Sequence, residues 1–139
     1  MNWPQHPSSW LARPSLLAAW VADLDGQLVG HVGLSRGTTG DMAAALWSAR
    51  EGVKPDVTAV VSRLFVDPAA RGHGLGAALL EHAVGEARAR GLYLVLDVVA
   101  SDVSAIALYE RLGWQLLATV EQQWGPQQVV TLRCYAAGT

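Results

Sequence analysis

The chain has 139 residues, 51% of them hydrophobic and 16% charged, with a formal net charge of −2. That length suits one domain, and that composition supports a large core rather than a disordered chain. The charge balance argues against a dedicated nucleic-acid binder, which would carry a basic stripe. No apolar run reaches the ~18 residues of a membrane-spanning helix.

The first residues, MNWPQHPSSW, lack the basic start and apolar core of a signal peptide. The expectation is therefore a cytoplasmic protein. Residues 1–15 carry three prolines, with a short helical turn expected around Ser9–Ala12. Leu16–Asp23 (LLAAWVAD) reads as a strand that is apolar on both faces, and Asp25-Gly26 is a hairpin signal. Gln27–Leu34 is the antiparallel partner. Asp41–Glu51 has Ala-rich helical character, with Asp41 expected as N-cap and Gly52 and Pro55 as stops.

Val57–Val66 is a β-branched strand. Leu75–Arg90 follows as a helix with Leu75, Ala78, Leu79, Ala83 and Ala87 on one face, ended by Gly91. Leu92–Val99 reads as a buried strand, reached from the previous one through a helical crossover. A second helix runs from about Val103 to Leu112. Trp114–Val120 and Val129–Tyr135 close the chain as two strands joined through Gly125-Pro126. Cys134, the one cysteine, has no disulfide partner in the chain, and no CxxC or Cys/His cluster suggests a metal. It reads as a buried small residue. The order of elements is that of an α/β or α+β fold with a mixed sheet.

The chemistry is densest between the Val57–Val66 strand and the next helix, in Arg71-Gly72-His73-Gly74-Leu75-Gly76. The first turn of a helix has unpaired N–H groups and a partial positive charge. Glycines let a bulky anion approach those amides, and Arg71 adds a fixed charge. The pattern describes a phosphate or pyrophosphate cradle. The spacing G-x-G-x-G differs from the dinucleotide fingerprint, and no lysine follows as in a P-loop. A nicotinamide-binding oxidoreductase is thus a poorer fit.

The loop resembles the R/Q-x-x-G-x-G/A pyrophosphate loop of the GNAT superfamily of acetyl-CoA-dependent N-acetyltransferases. LFVDPAARG before it and ALLEHAVGEARARG after it are similar to that family's strand and helix. Asp102 to Trp114 (DVSAIALYERLGW) resembles its N-x-x-A-x-x-L-Y-x-x-x-G-F signature, and the likeness extends over about residues 16–135. The resemblance implies a mostly antiparallel mixed sheet with helices on both faces, forming a single domain over residues 1–139. It implies acetyl-CoA as co-substrate. Leu64, Phe65 and Val66 would pair with the pantetheine arm through their backbone, and Arg71, Gly72, His73, Gly74, Leu75 and Gly76 would take the pyrophosphate. Asp102 would approach the cofactor arm or cap the second helix. Tyr109 matches the tyrosine that protonates the departing thiolate.

For the base that deprotonates an amine acceptor, the strand residues on offer are His31 and Asp97. Asp97 interrupts an apolar run, which is the more unusual placement. His73, inside the phosphate loop, reads as exposed rather than catalytic. Relatives begin with further elements before the first hairpin, so the N-terminal elements here are expected to be shortened. That would leave apolar surface near Trp10, Trp20 or Trp47 and favour a homodimer. The expected activity is transfer of an acetyl group to a primary amine. The alternative is a catalytically weak acyl-CoA-binding module acting through protein partners.

Overall fold

The computed structural model describes residues 16–138. The elements in chain order are β1 (Leu16–Leu24), β2 (Gln27–Arg36), α1 (Met42–Glu51), β3 (Thr58–Val66), α2 (Leu75–Ala89), β4 (Tyr93–Val99), α3 (Val103–Arg111), β5 (Gln115–Gly125) and β6 (Gln128–Ala136). One-turn 3₁₀ segments at Pro55–Val57 and Pro68–Ala70 lead into and out of β3. The expected helical turn at Ser9–Ala12, and Trp10, lie outside the described residues.

The six strands form one sheet in the order β1-β2-β3-β4-β6-β5. The β3–β4 pair is parallel and the other four pairs are antiparallel. The parallel pair follows from the sequence, because α2 intervenes and returns the chain to the same end of the sheet. Asp25-Gly26 turns the first hairpin with both residues at positive φ (54° and 81°), which matches the twist of the paired strands.

The sheet is covered on both faces. On one, Leu79, Leu80, Ala83 and Ala87 of α2 and Ile106 and Tyr109 of α3 close over Val32, Leu34, Leu94, Leu96 and Val98. On the other, Ala43 and Ala44 of α1 lie against Val60, Val95 and Cys134. Burying a leucine such as Leu34, Leu80 or Leu96 fully is worth ~1.5–3 kcal/mol each, so this core holds the frame.

Three details depart from the sequence reading. Ala78 is exposed, and Leu80 takes its place on the buried face of α2. Among the described residues, β1 is an edge rather than a strand covered on both sides. Its Trp20 stacks on His82 of α2, while Val21 and Leu24 face solvent. The last hairpin reaches through Glu121–Gln123, polar residues that pair with Val129–Thr131 at the other edge of the sheet. Strand pairing there overrides weak intrinsic propensity.

Candidate active site

The strands β3 and β4 part company. Their pairing covers Thr58–Val60 against Tyr93–Val95. Among the described residues, β3 continues to Val66 and β4 to Val99 with no further pairs between them. On its other side β3 carries a bulge: His31 faces Phe65 and Gly33 faces Ser62, so two β3 residues, Arg63 and Leu64, stand opposite Val32 alone. Arg63 sits at φ 51°, in the left-handed region. That conformation costs a non-glycine residue roughly 1–2 kcal/mol. The His31 Nδ1–H donates to the Arg63 carbonyl at 2.8 Å. A net worth of about 0.5–1.5 kcal/mol for such a bond is of the same order as the strain it opposes. Room is provided by Gly33, where an added Cβ would lie 2.7 Å from Ser62 Oγ.

The parting opens a cleft of about 550 Å³. Leu64, Phe65 and Val66 form one wall, Arg71, Gly72, Gly74, Leu75 and Gly76 the loop end, and Asp102, Leu108 and Tyr109 the wall from α3. Residues expected from distant parts of the sequence thus meet in one place. His73 is exposed and is absent from the lining.

The two helices that point into the cleft begin differently. At α3 the Asp102 carboxylate accepts from the Ala105 N–H at 3.2 Å, which caps the helix. At α2 the N-cap is Gly74, with no side-chain cap and no acidic residue in the first turn. The amides of Leu75, Gly76 and Ala77 precede the first intrahelical bond, which Ala78 makes to the Gly74 carbonyl. Gly72 and Gly74 have φ of 93° and 70°, and an added Cβ on either would meet nothing within 4 Å. Open space and positive φ together are what an anion cradle requires. Gly76 is different. Its added Cβ would lie 3.1 Å from Leu108 Cδ2, so packing of α2 against α3 also demands it.

Tyr109 is 5% exposed and its ring packs against Trp114 and Tyr135. Burial, assisted by the negative charge of Asp102, pushes its phenol up to about 12. It therefore stays protonated and able to donate throughout the neutral range.

Asp97, expected as the base, does not line this cleft. It lies on the opposite sheet face beneath α1, where its Oδ1 accepts from the Ala43 N–H at 2.9 Å. It also hydrogen-bonds the Cys134 thiol. Burial raises its pKa against the lowering effect of these bonds. Burial also pushes the Cys134 thiol up to about 12, with the Asp97 charge adding to it. Asp97 thus supplies α1 with the cap that was expected from Asp41, whose carboxylate instead takes the Thr38 N–H and hydroxyl. His31 lies on this second face as well, stacked on Phe65 at 5.9 Å.

The sequence reading gave no site role to Ala77, Ser104, Ala105, Leu108 and Arg111, which also line the cleft. Helical spacing could have found several. Ala105, Leu108 and Tyr109 follow Asp102 at helical intervals on one face of α3. Arg111 adds a second arginine to the lining that holds Arg71.

A parted strand pair, an uncapped helix start reached through glycines and a buried phenol thus meet at one cleft. The Acetyltransferase (GNAT) family matches residues 2–114, and the chain belongs to that family. It is 45% identical over 69 residues to the ribosomal protein bS18-alanine N-acetyltransferase of Escherichia coli strain K12, a match covering 49% of this chain and 46% of the relative. The matched stretch thus spans less than half of that relative's length. A ribosomal-protein-alanine N-acetyltransferase from Brucella melitensis superimposes with a TM-score of 0.64 at 25% identity, over 85% of this chain and 66% of that one. A Bacillus anthracis acetyltransferase crystallised in complex with acetyl coenzyme A has the same fold. Its TM-score is 0.70 at 17% identity, over 91% of this chain and 64% of that one.

Proposed function

We propose that this chain moves an acetyl group from acetyl-CoA to a primary amine by direct attack in a ternary complex. The observation that carries the reading is the cleft itself, where the parted β3 backbone, the uncapped start of α2 and Tyr109 face one space. The glycine loop and Arg71 would bind the pyrophosphate, and the β3 backbone at Leu64–Val66 would pair with the pantetheine arm as an added strand. When bound, acetyl-CoA supplies an activated thioester. Holding an amine against it removes much of the entropic barrier.

Tyr109 would donate to the sulfur. A phenol at about 12 lies well above an ordinary thiol near ~8.5, so transfer to a solvated thiolate is uphill. The same burial raises a thiolate held beside it, as the buried Cys134 thiol illustrates, and so narrows the gap. Asp97 acts in this reading as the support of α1, and the amine loses its proton through water.

The test is thiol release from acetyl-CoA with a panel of amines. An alanine-initiated peptide belongs in the panel because of the E. coli relative's name. Release that depends on one acceptor supports the transferase. Tight CoA binding with no release across the panel would move the chain to the binding-module reading. A homodimer remains part of this reading, favoured by Val21 and Leu24 exposed on the β1 edge rather than by Trp20 or Trp47, which are half-buried. Sedimentation at micromolar concentration should show a dimer, and a stable monomer would remove it. The reading also needs a compartment supplied with acetyl-CoA, which agrees with the cytoplasmic expectation.

A further inference from the structure

We propose that His31 is a positioning residue for the acyl carrier's pantetheine arm, acting through the bulge at Arg63. The inference rests on the acetyl-CoA reading of the cleft. His31 is 3% exposed and does not line the cleft. Its effect on a ligand must therefore pass through β3.

The geometry shows how. A carbonyl oxygen only accepts, so the 2.8 Å contact between His31 Nδ1 and the Arg63 carbonyl fixes the proton on Nδ1. That carbonyl belongs to the residue at φ 51°. Returning Arg63 to an extended conformation would swing its carbonyl away from the imidazole. It would also remove the bulge, and with it the one-residue offset between β2 and β3. A one-residue slip exchanges the faces of a strand. Leu64, Phe65 and Val66 are the residues that would change face, and all three line the cleft. The ring also stacks on Phe65, within 14° of parallel, which fixes the imidazole plane at the next residue but one. One side chain on β2 thus holds the residue that precedes the backbone stretch offered to the arm and the residue at its middle.

The role separates two parts of one ligand. The pyrophosphate end depends on the Arg71–Gly76 loop, whereas His31 meets Arg63 and Phe65 of β3. The arm depends on Leu64–Val66. ADP carries the pyrophosphate without the pantetheine, so a His31 effect seen on CoA and absent on ADP lies outside the pyrophosphate.

The experiment compares CoA affinity by calorimetry and ADP affinity by NMR titration, in wild type and His31 variants whose fold is checked by circular dichroism. His31→Phe keeps a ring for Phe65 and loses the donor. Its CoA affinity should fall about tenfold, the worth of roughly one hydrogen bond to the arm, while ADP binding is unchanged. His31→Asn, whose amide nitrogen stands near the place of Nδ1, should keep the wild-type ratio. His31→Gln, whose amide reaches the place of Nε2, should not. The Asn–Gln pair decides the matter if His31→Phe fails to fold. Unchanged CoA affinity in folded His31→Phe, equal loss of CoA and ADP, or identical ratios in the Asn and Gln variants would each overturn the inference. Wild-type chain that does not bind CoA would overturn the function proposed above, and this inference with it.

Discussion

On the α2–α3 face of the sheet, the groups nearest the β3–β4 opening stand in a cleft: an uncapped helix start, two arginines and a phenol. On the α1 face, Asp97 sits at much the same level of β4 with its oxygen engaged by a helix amide and its neighbour a buried thiol. The two faces contain similar chemistry in opposite states of commitment. On one face the first amides of α2 have no side-chain cap. On the other a helix amide has been satisfied from within the fold, so the carboxylate there stabilises a helix. Residue type alone does not make a site; what matters is whether the fold has already used the group.

The comparison is broken most severely at Tyr109. Tyr109→Phe keeps the ring among Trp114 and Tyr135 and removes only the donor. Turnover on the first good acceptor should fall about 10²–10⁴-fold, the usual size of general acid catalysis, with acetyl-CoA affinity preserved. Normal turnover would make Tyr109 a packing residue. Gly74→Val attacks the open helix start instead. A β-branched residue is strained at φ 70°, and its side chain would occupy the space left clear beside the amides. CoA affinity should drop by about two orders of magnitude, as losing a pair of charge-assisted hydrogen bonds implies. The helical circular dichroism signal should be largely retained. Wild-type affinity in a folded variant would remove the cradle.

Much of this was legible in the sequence because it is written locally. The loop's glycines and Arg71 carry their meaning in spacing of a few positions, the α3 residues from Asp102 to Tyr109 carry it through their resemblance to the family's signature, and the crossover helix fixes the parallel pair. The bulge at Arg63 was not legible. Nothing in VTAVVSRLFV marks an offset that arises from pairing with β2 and from a histidine 32 positions away. The surroundings of Asp97 were not legible for a related reason. A carboxylate in an apolar run signals a demand for a partner, but the partner, the Ala43 amide, lies 54 positions off and could not be read from the run itself.

A smaller effect is expected at Gly33, which lies between the two faces in importance. Gly33→Val would place Cβ 2.7 Å from Ser62 Oγ and 3.1 Å from the Ser62 carbonyl. The hydroxyl can rotate, but the carbonyl is backbone and β3 must shift beside the bulge. Overpacking of this kind costs typically ~1–3 kcal/mol, visible as a lowered midpoint of thermal unfolding. CoA affinity should weaken with it, whereas a valine that leaves both unchanged would show that β3 has slack at this point.

The smallest effect, and the sharpest test of the comparison, is expected at Asp97. Its folded-state pKa is raised above the ordinary carboxylate value, mainly by burial. Between those two values the folded chain holds a proton that the unfolded chain has released. Unfolded chain then binds fewer protons than folded, so stability falls as pH rises through that window. Above it, a charged carboxylate is kept half-buried at a cost. Asp97→Asn removes the charge and retains an oxygen to accept the Ala43 N–H. The variant should be at least as stable as wild type at neutral pH, converge with it in acid, and lose that part of the pH slope. Chemical denaturation across the pH range measures all three. Turnover and CoA affinity should both persist, because the carboxylate is already committed to α1. A variant that keeps its CoA affinity but loses turnover by the ~10²–10⁴-fold of a missing general base would reverse this assignment. It would mean that the acceptor approaches from the α1 face, and that the Ala43 amide releases the carboxylate when it does.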